Sequence, residues 1–377
     1  MAVYLDHNAT TPPLPAARAA MLAALEAGGN PSSVHAAGRA ARRTVEEARA
    51  AVADLVCAFP AEVIFTSGGS EANALALRGV AEAGGVKAIL AGETEHDSVL
   101  ANALDAARPG IAFRTLGVDA RGVPDLDALE RALAACGVPA LVSVMLANNE
   151  TGVIAPAADI AKRVKAAGGL FHVDAAQAAG RMPVNLRDLG ADMMTVSAHK
   201  MGGVPGAGAL VVRDGVKLAR QIAGGGQELG RRAGTENVPA IAAFGAAAAS
   251  PADWTRLAGL RDRMEAAIRQ AVPQAAIHGA GAPRLPNTAL IGLEGVPGET
   301  QVMAMDLAGF AVSSGAACSS GKVKISHVLR AMGVTAAGDA IRVSLGPDTH
   351  EEQVDAFVTA WTAFALKALA RRVSEAA

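Results

Sequence analysis

Aromatic side chains are scarce in this chain. Its 377 residues include eight Phe, two Trp and a single Tyr, 3% in all, too few for the stacking platforms that bind single-stranded nucleic acid. Neither sign of charge is in excess: 34 Lys and Arg stand against 36 Asp and Glu, a net charge of −2. That balance argues against a protein that neutralises nucleic-acid phosphate, and small-molecule partners are expected instead. Cysteine is rare too. Cys57, Cys136 and Cys318 are odd in number and far apart, which fits a reducing compartment better than a disulfide framework. Long hydrophobic runs are missing: stretches such as 138–147 fall well short of the roughly 18 residues a membrane span needs. The first 13 residues lack the basic and apolar pattern of a secretion signal. A cytoplasmic protein without a membrane partner is expected. Neither repeats nor a low-complexity tail is found.

What is abundant is material for a core. Hydrophobic residues make up 51% and charged residues 19%, so the chain is globular. Its length exceeds what one small core supports, and a large domain with a smaller one is expected. Short apolar runs at 63–66, 88–91, 140–146, 169–173, 193–197 and 209–212 read as strands, and most are separated by alanine-rich helical patterns. That alternation predicts an α/β fold with a mostly parallel sheet, whose ligands sit at the carboxyl ends of the strands. Residues 39–58 carry charges at helical spacing and read as an amphipathic helix. A helix over 253–271 is predicted to lead into the second part. That part contains elements at 287–293, 299–307 and 341–345, and a loop at 313–324.

Three stretches carry chemistry. Ser67-Gly-Gly-Ser-Glu-Ala-Asn73 follows a strand and precedes a helix; this suits a phosphate cup, with Ser70 adding a hydroxyl, but equally an ordinary helix cap. No Gly-Lys-Ser follows, so it is not a P-loop. Asp174 closes an otherwise apolar strand, as either a helix cap or a group awaiting a cation. Ser197-Ala-His-Lys200 runs from a strand into a glycine-rich turn. A lysine crowded there has the lowered basicity that a nucleophile and base needs. Together, a cup, an aspartate one crossover earlier and such a lysine are what pyridoxal phosphate requires: an anchor for phosphate, a partner for the pyridine nitrogen and an amine for the aldehyde. No metal-ligand spacing such as His-Glu-x-x-His occurs, and no metal site is assigned.

With those residues in hand, the sequence resembles the cysteine desulfurases of the NifS/IscS-like branch of the class V pyridoxal-phosphate aminotransferase group. The resemblance runs through Tyr4-Leu-Asp-His-Asn-Ala-Thr-Thr11, Gly29-Asn-Pro-Ser-Ser33 with His35, the cup, Glu95-His96 and Ala147-Asn-Asn-Glu-Thr-Gly152. It continues through His172-Val-Asp174 with Gln177, Ser197 to Lys200, Gly224 to Glu228, Arg232 to Asn237, Ser313 to Gly321 and Ile341 to Gly346. It implies a fold-type I enzyme: a large cofactor-binding domain over 16–255 with a seven-stranded sheet, and a smaller α+β domain from 1–15 and 256–377 carrying the cysteine loop. Lys200 would hold the aldehyde, Asp174 would pair with the pyridinium, and His96 would stack on the ring and move protons. Asn148 and Gln177 would bond the ring oxygen region. Gly69, Ser70, Ser197 and His199 would hold the phosphate, joined by Thr235 from the second subunit of a homodimer. Arg342 would clamp the substrate carboxylate.

The cysteine loop separates this branch from other class V enzymes. Cys318 lies in a run of small residues, Ser313-Ser-Gly-Ala-Ala-Cys-Ser-Ser-Gly321, with Lys322, Lys324 and His327 nearby, a setting that suits a mobile thiolate. The resemblance implies that L-cysteine is converted to L-alanine while its sulfur becomes a persulfide on Cys318, then passes to an acceptor such as an iron–sulfur scaffold. A selenocysteine lyase or another class V lyase, and a silent sulfur-trafficking scaffold, are the alternatives. Cys57 and Cys136 read as core or bystander groups. His7 and His35 are candidates to line the site, His172 an interior group, and His278, His327 and His350 surface groups. Two departures from the family pattern stand out: Gly203-Val-Pro-Gly206 replaces the usual Gly-Pro-Lys-Gly turn, and Ser70 replaces a threonine.

Overall fold

A computed structural model describes residues 2–108, 110–137, 139–315 and 325–376. Seven strands form the large sheet in the order Val63–Thr66, Gly208–Val212, Met193–Ser197, Leu170–Asp174, Ala140–Met145, Ala88–Gly92 and Ala112–Leu116. Gly208–Val212 is antiparallel to both neighbours, and the remaining pairings are parallel. Six of these strands match the apolar runs in the sequence to within a residue or two. The seventh, Ala112–Leu116, is an edge strand with most side chains outside the core. Such a strand has no apolar run to betray it.

The pleat sends alternate side chains to opposite faces. Val63 and Phe65 join a core beneath the helices Ala36–Leu55 and Val238–Ala249, while Ile64 joins a second core under Gly69–Ala83 and Asp97–Ala106. The helix expected at 39–58 thus runs over Ala36–Leu55. It stops because Cys57 turns into the left-handed region at φ 53°, the position after a helix end where glycine is usual. Cys57 is therefore exposed rather than in the core, and Cys136, at the end of the helix Leu126–Cys136, is half-buried.

A second sheet, antiparallel, has the order Ser313–Ser314, Ala340–Ser344, Thr288–Gly292 and Ala276–His278. It packs with the helices Leu257–Ala271 and Glu351–Ala376 around Trp361, Phe357 and Ile291. The helix expected from 253 begins at Leu257, because Asp253 Oδ1 accepts from the Thr255 N–H at 2.8 Å and makes a turn first. Leu5 lies in this same core, and the strand Val3–Tyr4 pairs in parallel with Phe310–Ala311. The expected loop at 313–324 begins as a strand, Ser313 facing Arg342 and Ser314 facing Ile341. Among the described residues no helix is long and apolar enough to cross a membrane.

Candidate active site

Because six of the seven strands point the same way, their carboxyl ends open on one edge of the sheet, where ligands of such folds gather. A cavity of about 560 Å³ lies there. From the large sheet's loops it takes Gly69, Ser70, His96, Asp174, Gln177, Ser197, His199 and Lys200, and from the second sheet Ser313 and Arg342. Of the ten described residues expected from sequence to hold or act on the cofactor, the structure brings eight together, with Arg342, the one expected to hold substrate. Thr235 and Asn148 do not line the cavity. Thr235 is exposed at the protein surface. Cys318 lies outside the described residues.

Asn148 is corrected by its own bonds. Its Oδ1 accepts from the backbone N–H of Glu150 and of Thr151, both at 2.9 Å, and its amide donates to Thr94 O at 3.0 Å. It builds the turn that follows Ala140–Met145. The neighbouring Asn149 lines the cavity instead, and its Oδ1 is buried without a partner, an acceptor awaiting a donor.

Lys200 sits in the tight turn Ala198–Lys200 after Met193–Ser197. Its Nζ donates to Asn8 O at 2.6 Å and to Ala9 O at 2.9 Å. Burial, then the cations Arg342 and Arg181, lower its pKa to about 7, against the pull of Asp6 and Asp174. The free amine that a nucleophile requires is then accessible at neutral pH. Burial also lowers His199, with Lys200 and Arg181 adding to the effect, to about 4. Its imidazole is neutral and contacts Thr10 Oγ1 at 3.2 Å.

Asp174 is held by two donors, Asn73 Nδ2 at 2.8 Å and the Ala176 N–H at 2.9 Å. Asn73, inside the cup motif but not singled out from sequence, also donates to Ser98 Oγ at 3.0 Å. His96 Nδ1 accepts from the Ser98 N–H at 3.0 Å, which leaves Nε2 to carry the ring proton in the neutral imidazole. Behind it, Glu95 is fully buried with Oε1 accepting from the Met145 N–H at 2.7 Å and Oε2 unpaired. Burial pushes its carboxyl well above the usual range.

The helix Gly69–Ala83 starts without a side-chain cap, leaving its first N–H groups for a ligand. A Cβ at Gly208 would come within 2.6 Å of the Gly68 carbonyl carbon, so glycine there lets the cup lie against the sheet. An open helix start beside two hydroxyls, a neutral histidine, a carboxylate with fixed donors, an orphaned amide oxygen and a deprotonatable lysine fit pyridoxal phosphate.

Arg342 is almost wholly buried; it donates to Asp6 Oδ1 at 2.8 Å and Asn149 O at 2.9 Å, and its Nε is unpaired. The sequence did not foresee Asp6 as its partner, nor Asn8, whose backbone and side chain bond Lys200, Gln177, Thr288 and Arg181. His7 and His35 do not line the cavity: His7 packs against Tyr4 and Trp254 with ring centroids 5.0 and 6.3 Å away, and His35 caps Ala36–Leu55. His172 is interior and satisfied by Ser143 and Thr195. His327 is not a surface group; its Nε2 meets Glu95 O at 2.9 Å. Among the described residues no His, Cys, Asp and Glu cluster suits a metal.

The pattern of the aminotransferase class-V family matches residues 3–357. A cysteine desulfurase of Cereibacter sphaeroides is 45% identical over 361 residues, 94% of this chain and 93% of that protein. Cysteine desulfurase 2 of Trichormus variabilis is 43% identical over 361 residues, 94% of this chain and 90% of that protein. Among solved structures, a NifS-like protein from Rickettsia africae superposes with a TM-score of 0.87 at 34% identity, covering 96% of this chain and 98% of that one.

Proposed function

The chain belongs to the aminotransferase class-V family, and from that premise we propose that it is a pyridoxal-phosphate-dependent cysteine desulfurase, taking sulfur from L-cysteine and releasing L-alanine. The observation that carries the reading is Lys200: a buried amine whose pKa is lowered to about 7, in a cavity it shares with Asp174 and Arg342. Pyridoxal phosphate, when bound, supplies an electron sink for the amino-acid carbon. Gly69, Ser70, Ser197 and the neutral His199 would hold its phosphate, Asp174 its pyridine nitrogen, and His96, Asn149 and Gln177 its ring.

The chain's own residues do the rest. Arg342 binds the substrate carboxylate through its unpaired Nε, with Asp6 and Asn149 fixing the fork. Lys200 Nζ takes the Cα proton and returns it nearby, a task that needs an amine titrating near the working pH. Cys318, as a thiolate, attacks the substrate sulfur; the Cβ–S bond breaks with its electron pair left on carbon, which takes a proton and leaves as alanine, and the sulfur stays on Cys318 as a persulfide for an acceptor, an iron–sulfur assembly scaffold in a cytoplasmic setting. For the domain boundaries we adopt 16–255 against 1–15 with 256–377; in support, Ala17 belongs to the large core and Leu5 to the small one. Incubating the holoenzyme with L-cysteine and a thiol reductant should release alanine and sulfide in equal amounts. Alanine without sulfide, or turnover confined to selenocysteine, would sink the assignment.

A homodimer is part of the proposal, with Thr235 completing the phosphate site of the other copy. In support, the loop bearing Thr235 is braced from behind. Arg49 and Glu228 form a buried bidentate pair at 2.6 and 2.8 Å, and Arg232 Nε meets Glu71 Oε1 at 2.8 Å. Thr235 itself faces outward. Mixing Lys200→Ala subunits with Thr235→Ala subunits should restore up to about a quarter of wild-type activity, since random pairing leaves half the molecules mixed, each with one intact site. No recovery, or an active monomer by sedimentation, would count against the shared site.

A further inference from the structure

Arg181 takes no part in the chemistry above, yet its side chain is 3% exposed and all its hydrogen bonds go to uncharged oxygens. One terminal nitrogen donates to Asn8 Oδ1 at 2.6 Å and Gln177 Oε1 at 2.7 Å. The other donates to His7 O at 2.7 Å and Lys200 O at 2.8 Å. Its guanidinium lies over Trp254, 4.9 Å from the ring centroid. Burying a cation without a carboxylate is costly, and burial, with Arg342 nearby, draws its pKa down to about 9; it is still charged at neutral pH. The close approach is built in: Gly180 has φ 78°, and a Cβ there would strike Met201 Cβ at 2.8 Å.

The four acceptors share one destination. Asn8, whose side chain Arg181 holds, presents its own carbonyl to Lys200 Nζ, with Ala9 O beside it, and the carbonyl of Lys200 itself is the fourth acceptor. Arg181 therefore grips the lysine's peptide at one end and the turn that receives its amine at the other. Resting on Lys200 as the acting amine, we propose that Arg181 is a positioning residue for the reaction: its planar fork locks the N-terminal turn onto the Lys200 peptide and so sets where the amine rests before and between proton transfers. A fork serving four oxygens is a task an ammonium cannot copy. The second consequence is electrostatic. The charged groups facing Lys200 are Arg342 and Arg181, which hold its amine acidic, and Asp6 and Asp174, which oppose them, with neutral His199 adjacent.

Two variants of the full chain separate these roles, Arg181→Lys and Arg181→Met. Hydrogen exchange read on the peptide covering residues 5–11 should lose about tenfold or more protection in both, with and without pyridoxal phosphate. The pH midpoint for acylation of Lys200, read by peptide mass spectrometry on protein freed of cofactor, should rise in Arg181→Met and stay near the wild-type value in Arg181→Lys. In the holoenzyme kcat should fall about tenfold with KM for L-cysteine within about twofold, because Arg181 does not touch substrate. Protection within about twofold of wild type in Arg181→Lys overturns the fork, and that variant decides alone if Arg181→Met does not fold. An unmoved midpoint in a folded Arg181→Met overturns the electrostatic part. Borohydride trapping of cofactor on another lysine of the wild-type protein would overturn the Lys200 assignment while the exchange result stood on its own.

Discussion

Lys200→Ala should abolish turnover of L-cysteine, by at least about 10³-fold in kcat/KM, while leaving a folded protein that still takes up pyridoxal phosphate non-covalently. The fold should survive because the contacts Lys200 makes with its surroundings are mostly through its backbone: Thr11 Oγ1 and Arg181 both donate to its carbonyl, at 2.9 and 2.8 Å. An alanine keeps them. What is lost is the side-chain amine that Asn8 O and Ala9 O receive, and with it the base proposed to move the substrate's Cα proton. The cup, Asp174 and His199 remain to hold the cofactor. Borohydride reduction of the wild-type holoenzyme followed by peptide mapping should place the cofactor on Lys200. Lys162 pairs with Asp159 at 3.1 Å and Lys165 with Asp192, and neither lines the cavity; cofactor found on either, or on Lys217, would end the assignment.

The parts of this site that sequence made legible are those where one residue type has one use. A lysine after Ser-x-His at a strand end, an aspartate closing an apolar strand and a glycine turn before a helix each limit the chemistry available. All three converge because parallel strands bring their carboxyl ends to one edge. What stayed hidden depends on direction rather than type. Asn148 and Asn149 are chemically identical neighbours, and the hydrogen bonds of Asn148 to the Glu150 and Thr151 N–H groups decide which of them faces the cavity. Arg181 looks like any basic residue in a loop until the chain's first ten residues fold back on it. Asp6 pairs with Arg342 across 336 positions of sequence. The edge strand Ala112–Leu116 hid because exposure removes the apolar pattern by which strands are read.

Cys318→Ser should bind L-cysteine at the same site yet release alanine at a rate lower by at least about 10³-fold, with no sulfur retained on the chain. In the proposed reaction, the steps before carbon–sulfur cleavage call on Lys200, Asp174 and Arg342, which the substitution does not touch. Only the capture of sulfur needs a thiolate, and a serine hydroxyl is far too weakly acidic to act as an equivalent nucleophile at neutral pH. The described residues on either side of 316–324 are held by specific contacts, and those before it reach the cavity. Ser313 lines it and pairs with Arg342, while Ser326 Oγ donates to the buried Glu150 Oε2 at 2.6 Å and His327 meets Glu95 O at 2.9 Å. Cys57 and Cys136 lie at the ends of helices and do not line the cavity, and their serine variants should be close to silent. Mass spectrometry after brief exposure of the wild-type enzyme to L-cysteine should find the added sulfur on the peptide containing Cys318. Sulfur on either of the other cysteines, or normal alanine release by Cys318→Ser, would replace the persulfide route with direct elimination to free sulfide. Normal turnover of selenocysteine alone by that variant would move the chain to the selenocysteine lyases, because a thiol is dispensable when selenium leaves.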